Sequence, residues 1–253
     1  MQSLQINIDL KEDERLRERV NKVQVCYHYS NSNPLINMLL SLSRTRLLNM
    51  ANFPVTAKSL LVDLGCSSGT LTRVLSRKAP TVGIDVDKKS LVWLTKQSKR
   101  IDLICADLSH LPFRNGSVNI AVCASVLEHV KNLEEVAQQI SSVLKDDGIF
   151  VAGYPIETKM LKAVIELLDR KTVSVWDPLR VVKNEDYRMC PDTHKQKFPA
   201  IRDTLGRNFS MLKKEKVPLK YLPDFLSIYE CAMMCKKIEH RSSYSAHNSS
   251  YQC

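Results

Sequence analysis

Between residues 58 and 154 the chain alternates short apolar runs with segments of helical period. The runs are Ser59 to Leu64 (stopped by Gly65), Thr81 to Ile84, Ile101 to Cys105, Val118 to Ala124 and Gly148 to Ala152. Runs that are apolar at successive positions imply strands covered on both faces, which is the mark of a parallel sheet. Between them, Asn132 with Glu135 three residues on makes a capping-box-like start. Val136, Ile140, Val143 and Leu144 then follow at helical spacing, and Asp146-Asp147-Gly148 is expected to end that helix. Asp87 is expected to cap the segment carrying Leu91 and Leu94. This rhythm predicts an α/β fold, a doubly wound sheet with right-handed crossovers and helices on both faces.

The flanks differ. Residues 1–57 read as helical, with Val20, Val23 and Tyr27 at helical spacing and a break over Cys26 to Asn31 before Pro34. Residues 155–235 start helical and end in two strand-like runs, Phe209 to Val217 and Phe225 to Cys235. Lys236 to Cys253 is rich in Ser, His and Asn and has no apolar period, so a disordered tail is expected. The division is an N-terminal helical lid (1–57), a central domain (58–235, with a substrate-side insertion at 155–200) and a tail (236–253).

Composition narrows the class. A chain of 253 residues, 44% hydrophobic and 25% charged, suits one large α/β domain. No apolar run approaches the roughly 20 residues that span a bilayer. The N-terminus lacks a secretory pattern, so a cytoplasmic location is the expectation. The eight cysteines are scattered, with no CxxC pair and no zinc spacing, and read as reduced thiols; Cys231 and Cys235 are expected in a core, and no metal is expected. The net charge is +10, with much of the excess after Pro155. A basic surface can attract nucleic acid, an anionic membrane or an acidic substrate. A solvated basic face is preferred, because no aromatic-interleaved basic stretch accompanies it.

In such sheets ligands sit beyond the carboxyl ends of the strands. After the first run comes Asp63-Leu64-Gly65-Cys66-Ser67-Ser68-Gly69-Thr70, a tight turn with a helix expected behind it, its N–H groups aimed at the same place. The dinucleotide pattern GxGxxG fails twice, at Ser67 and Thr70. The segment instead resembles the class I methyltransferase signature, an acid followed by GxGxG, matched at Asp63, Gly65 and Gly69 and departing at Ser67. Further segments match in order: Gly83-Ile84-Asp85, Cys105-Ala106-Asp107-Leu108, Leu111-Pro112-Phe113, Ser125-Val126-Leu127-Glu128-His129-Val130 and Asp147-Gly148-Ile149-Phe150-Val151. The resemblance is to the small-molecule branch that includes quinone-biosynthesis enzymes (methyltransferase type 11). It covers residues 58–154 well and extends weakly through Asp192 to Phe198.

That resemblance implies a Rossmann-like sheet of seven strands, mostly parallel, with the last strand antiparallel and inserted at the sheet edge. It implies S-adenosylmethionine as cofactor. Asp85 would accept from the ribose hydroxyls, and Asp107 with the N–H of Leu108 would meet the adenine. Asp63, Gly65, Cys66, Ser67, Gly69, Val86, Ser125 and Tyr29 complete the implied cofactor set, with Tyr27 or Tyr29 covering it from a preceding helix. The reaction is an in-line attack on the sulfonium methyl, in which alignment supplies most of the catalysis. His129 and His194 are the candidate bases, and Glu128 is expected to face solvent or cap a helix. The run Ala124-Ser125-Val126-Leu127 replaces the Asn/Asp-Pro-Pro-aromatic segment of exocyclic-amine methylation, which favours a small or lipid-like acceptor. The alternatives are an RNA or protein methyltransferase and a catalytically silent methyltransferase-like binding domain.

Overall fold

The computed structural model describes residues 34–52, 54–56, 58–97, 101–156 and 195–237. The strands are β1 (Leu61–Leu64), β2 (Thr81–Asp85), β3 (Asp102–Cys105), β4 (Val118–Ala124), β5 (Leu144–Pro155), β6 (Phe209–Val217) and β7 (Tyr229–Lys236). They form one sheet in the order β3-β2-β1-β4-β5-β7-β6. β1 to β5 pair in parallel, while β7 runs antiparallel to both β5 and β6. The last strand is therefore inserted one place in from the edge, and β6 is the edge strand. Strand order reverses between β1 and β4, which opens a crevice at their carboxyl ends.

The helices are α1 (Pro34–Met50), α2 (Thr72–Leu75), α3 (Lys88–Gln97), α4 (Leu133–Val143) and α5 (Phe198–Asn208). The two-residue period of the strands sends alternate side chains to two cores. Val62, Leu64, Cys123, Phe150 and Tyr154 pack with Ile140 of α4 and Ile201 and Leu205 of α5. Leu61, Ile120, Val122, Val151 and Cys231 pack on the other face with Leu47 and Met50 of α1 and Leu75 of α2. Leu91 and Leu94 of α3 cover Cys66 and Ile101. Within the first core the rings of Phe150 and Phe209 lie 5.1 Å apart at 45°, a tilted pair worth about 1 kcal/mol beyond area burial.

Local signals are met at several points. Asn132 Oδ1 accepts the Glu135 N–H at 3.3 Å, and Asp87 takes the Lys89 N–H at 3.0 Å and the Ser90 hydroxyl at 2.7 Å. Two boundaries differ from expectation. α4 ends at Val143, because fully buried Leu144 turns extended and pairs with Val118; the ladder then skips to Ile149, so Asp146-Asp147-Gly148 lies in an irregularity of β5. The last strand starts at Tyr229, because Asp224–Leu226 is a 3-10 turn held by Arg202 and Lys216 on the Asp224 carboxylate. The exposed edge of β6 carries Lys213, Lys214 and Lys216 and a register shift after Met211, devices that discourage further strand pairing. Among the described residues no helix is long and apolar enough to cross a membrane.

Candidate cofactor and acceptor site

The loop after β1 is shaped by three left-handed residues, Gly65 (φ 76°), Ser67 (φ 44°) and Gly69 (φ 75°). Its start is pinned by the N–H groups of Gly65 and Cys66, which both donate to Ile84 O at 2.8 Å. A Cβ on Gly65 would come within 2.3 Å of Val126, and one on Gly69 within 2.4 Å of Leu94, so neighbours as well as φ require glycine there. Ser67 adopts the same left-handed backbone with a side chain present. Its Oγ is buried and has no hydrogen-bond partner among the described residues. The helix expected behind the loop is a single turn, α2, so the loop's own backbone does the positioning.

Asp85 closes the loop from the end of β2. Its Oδ2 accepts the Ser67 N–H at 2.8 Å and its Oδ1 the Asp87 N–H at 2.8 Å. Burial pushes this carboxyl up, while those two N–H groups pull it down. Each oxygen keeps a lone pair for a further donor. Val86, next along, is 71% exposed, an apolar side chain offered on the rim. Beyond β3, Asp107 is exposed; its Oδ1 accepts from the Ser109 N–H (2.9 Å) and hydroxyl (2.8 Å), which hold it below the usual carboxylate range. Leu108 is buried behind it.

Asp63 does not join Asp85 and Asp107 on the open rim. It is buried on the α2 side, where its Oδ2 accepts the Thr72 hydroxyl at 2.6 Å. Burial, with a smaller push from Asp85, raises it to about 6. Its place is structural, tying the end of β1 to α2. The Cys66 thiol is pushed far up, first by burial and then by Asp63, and is not poised as a nucleophile.

At the β4 exit Ser125 is also left-handed (φ 55°). Its N–H donates to Gly153 O at 2.8 Å, and its hydroxyl lies 2.9 Å from that of Tyr229. The Tyr229 ring packs over Gly153, where a Cβ would sit 2.6 Å from Oη. Strained backbone at the mouth of a sheet is a mark of a functional site. The following turn reverses one expectation, since Glu128 is buried at 2% exposure; His129 beside it is exposed. The reason is a tight turn, with the His129 N–H on Val126 O, crossed by Gln196, which donates to Glu128 O, Val130 O and Lys131 O. His194, Tyr27, Tyr29 and most of the 155–200 insertion lie outside the described residues.

A buried polar chain lies beside this rim. Tyr154 donates to Glu230 at 2.6 Å; Arg202 donates to Glu230 (2.7 and 3.2 Å) and to Asp224 (2.9 and 3.1 Å). Thr72, Tyr229 and this chain were not singled out from the sequence. The only available signals were an acid at position 230 and a tyrosine at position 229 in an otherwise apolar run.

Loop backbone, an orphaned buried hydroxyl, a carboxylate with spare acceptors and an exposed apolar face thus meet at the switch of strand order. They fit a nucleoside carrying a charged polar tail. Residues 62–152 match the family model described as Methyltransferase domain. Over that stretch the chain is similar to the class I S-adenosylmethionine-dependent methyltransferases. Their cofactor is S-adenosylmethionine. A demethylmenaquinone methyltransferase of Lactobacillus johnsonii is 30% identical over 135 residues, covering 49% of this chain and 55% of the relative. A solved structure of geranyl diphosphate C-methyltransferase from Streptomyces coelicolor superposes with a TM-score of 0.60 at 12% identity, over 90% of this chain and 94% of that one. A TehB-like S-adenosylmethionine-dependent methyltransferase from Corynebacterium glutamicum gives 0.55 at 15% identity, over 88% and 97%. These structural likenesses speak to the fold alone. The chain spans 28% to 55% of the length of these curated relatives and others like them.

Proposed function

We propose that the chain transfers a methyl group from S-adenosylmethionine to a small or lipid-like acceptor. The observation that supports this most is the cluster of Ser67 Oγ, Asp85 and Val86 at the strand-order switch. Asp85 would hold the ribose hydroxyls on its remaining lone pairs, Val86 would lie against the adenine, and Asp107 with the Leu108 N–H would meet the adenine edge. The Ser67 hydroxyl and loop backbone would face the methionine end. Asp63 keeps the loop in place through Thr72.

Bound there, the sulfonium supplies an activated methyl with a neutral leaving group. The chain's task is to align the acceptor. Ser125 and Tyr229 stand at the exit of β4 and can hold a polar acceptor atom by hydrogen bonds. The absence of an Asn/Asp-Pro-Pro-aromatic run at Ala124-Ser125-Val126-Leu127 argues against an exocyclic base amine as acceptor. The relatives named for a quinone precursor and a prenyl diphosphate are consistent with an apolar acceptor.

The test is calorimetry with S-adenosylmethionine and its demethylated product. Asp85→Ala should weaken binding by about 1–3 kcal/mol, the loss of hydrogen bonds to a charged group. Unchanged affinity in that variant would remove Asp85 from the site. No binding by the native chain at high micromolar cofactor would leave a silent, methyltransferase-like domain.

A further inference from the structure

The loop from β6 to β7, residues 218–228, lies on the same rim as the donor site. β5 and β6 both run antiparallel to β7, so they share a direction and their carboxyl ends share an edge. Four apolar side chains of this loop face outward: Leu219 (63% exposed), Tyr221 (90%), Phe225 and Leu226 (47% each). The loop is not slack. Arg46 Nη2 donates to Pro218 O at 2.7 Å, Lys216 Nζ to Leu222 O at 2.8 Å, and Ser227 Oγ to Pro223 O at 2.9 Å. A well-tied loop that holds four apolar groups in water marks a surface made to be covered.

The charges beside it say by what. Lys220, between Leu219 and Tyr221, lines an open cavity of about 310 Å³ between α1 and β6, together with Arg46, Thr45, Asn49, Lys213 and Glu215. Three cations there share one carboxylate. Glu215 Oε1 is 2.9 Å from Lys213 Nζ and 3.3 Å from Lys220 Nζ, and its Oε2 is 3.8 Å from Arg46 Nε. Arg46 Nη1 is buried with no hydrogen-bond partner among the described residues. The uncompensated positive charge calls for an anion. The cavity is four strand spacings from β1, about 19 Å, and so is separate from the donor site.

We infer that this rim docks on an anionic lipid surface, with Leu219, Tyr221, Phe225 and Leu226 entering the acyl boundary and a headgroup phosphate seated among Arg46, Lys213 and Lys220. A free phosphate accounts for the cavity but leaves the four apolar side chains unexplained; a lipid surface accounts for both. The inference stands on these residues alone and does not depend on methyl transfer. If both hold, a lipid-like acceptor reaches the donor rim from the bilayer.

Vesicle co-sedimentation of the full chain tests it. Binding is expected to vesicles containing phosphatidylglycerol, weakly to pure phosphatidylcholine, and should fall with added salt. Leu219→Ser with Tyr221→Ser, at exposed positions that leave the thermal melt unchanged, should reduce partition about tenfold or more. Lys213→Gln with Lys220→Gln should reduce binding to the anionic vesicles only. Failure of the native chain to sediment with anionic vesicles overturns the inference, as does full binding by the Leu219/Tyr221 variant. Calorimetric binding of inorganic phosphate without vesicle binding also overturns it and leaves a free-phosphate site. None of these outcomes alters cofactor affinity, so failure here is distinguishable from failure of the methyl-transfer reading.

Discussion

Ser67→Gly separates stability from cofactor binding at one position. Ser67 holds φ 44° with its Oγ buried and without a partner among the described residues. A side chain in the left-handed region costs about 1 kcal/mol, and a buried hydroxyl without a partner costs about 1–3 kcal/mol. Glycine removes both terms but gives back about 0.4–1 kcal/mol through the greater entropy of the unfolded chain. The net expectation for the free protein is a gain of about 1–3 kcal/mol, or roughly 2–12 °C in Tm for a chain of this size. On the proposed reading cofactor affinity should move the other way, because the hydroxyl, without a partner among the described residues, would gain one from the methionine end of the cofactor. Losing it should weaken binding by about 1 kcal/mol, near fivefold. Thermal unfolding with and without S-adenosylmethionine, beside titration calorimetry, measures both. A lower Tm for the free variant would refute the strain account; equal or tighter cofactor binding would refute the role of the hydroxyl.

Asp63→Asn should remove a pH dependence. The folded carboxyl titrates near 6, against 3.8 when free. The folded state therefore binds the proton more tightly, and native stability falls as pH rises through that interval, then levels off. The asparagine variant, whose Oδ1 still accepts from Thr72, should lack that slope and be more stable at pH 7 by up to about 3 kcal/mol; parallel denaturant curves for both proteins across pH 4–7 would count against it. Arg202→Ala leaves the Glu230 carboxylate, fully buried, with Tyr154 as its hydrogen-bond partner among the described residues, and should cost about 3–5 kcal/mol in urea unfolding. Adding Glu230→Gln should recover part of that loss, and no recovery would show that the charge is not what is destabilising. Gly153→Ala places a methyl 2.6 Å from Tyr229 Oη and 2.8 Å from Leu47 Cδ1. It should cost about 2 kcal/mol by thermal melt, and an unchanged melt would mean the ring shifts freely.

Much of the sheet was legible because its strands are short and apolar on both faces. The first run, Ser59 to Leu64, could be little else once Gly65 stopped it, and it stands as β1 between β2 and β4. Asn132 and Asp87 cap as their spacing foretold, since capping is decided within one turn. The mistakes lie where distant partners decide. The end of α4 is set by Leu144 meeting Val118, and the start of β7 by Asp224 meeting Arg202, twenty-two residues away in sequence. At the site, Asp85 and Asp107 occupy the strand ends read for them. The acid of the signature, Asp63, was read as facing the same opening, but the pleat turns it to the α2 side, where Thr72 takes it. Glu128, expected to face solvent or cap a helix, is buried for a similar reason: adjacent residues in a turn differ in direction, and Gln196, sixty-odd residues on, fixes which one is inward.

The order β5-β7-β6 has a consequence for how the chain is made. On the ribosome β6 emerges before β7, yet its place in the sheet is outside it. Until Tyr229 to Lys236 has left the exit tunnel, the flank of β5 stays bare and β6 has nothing to zip onto. Until then the nascent polypeptide carries a sticky, half-built sheet, and β7 acts as the keystone that seals it.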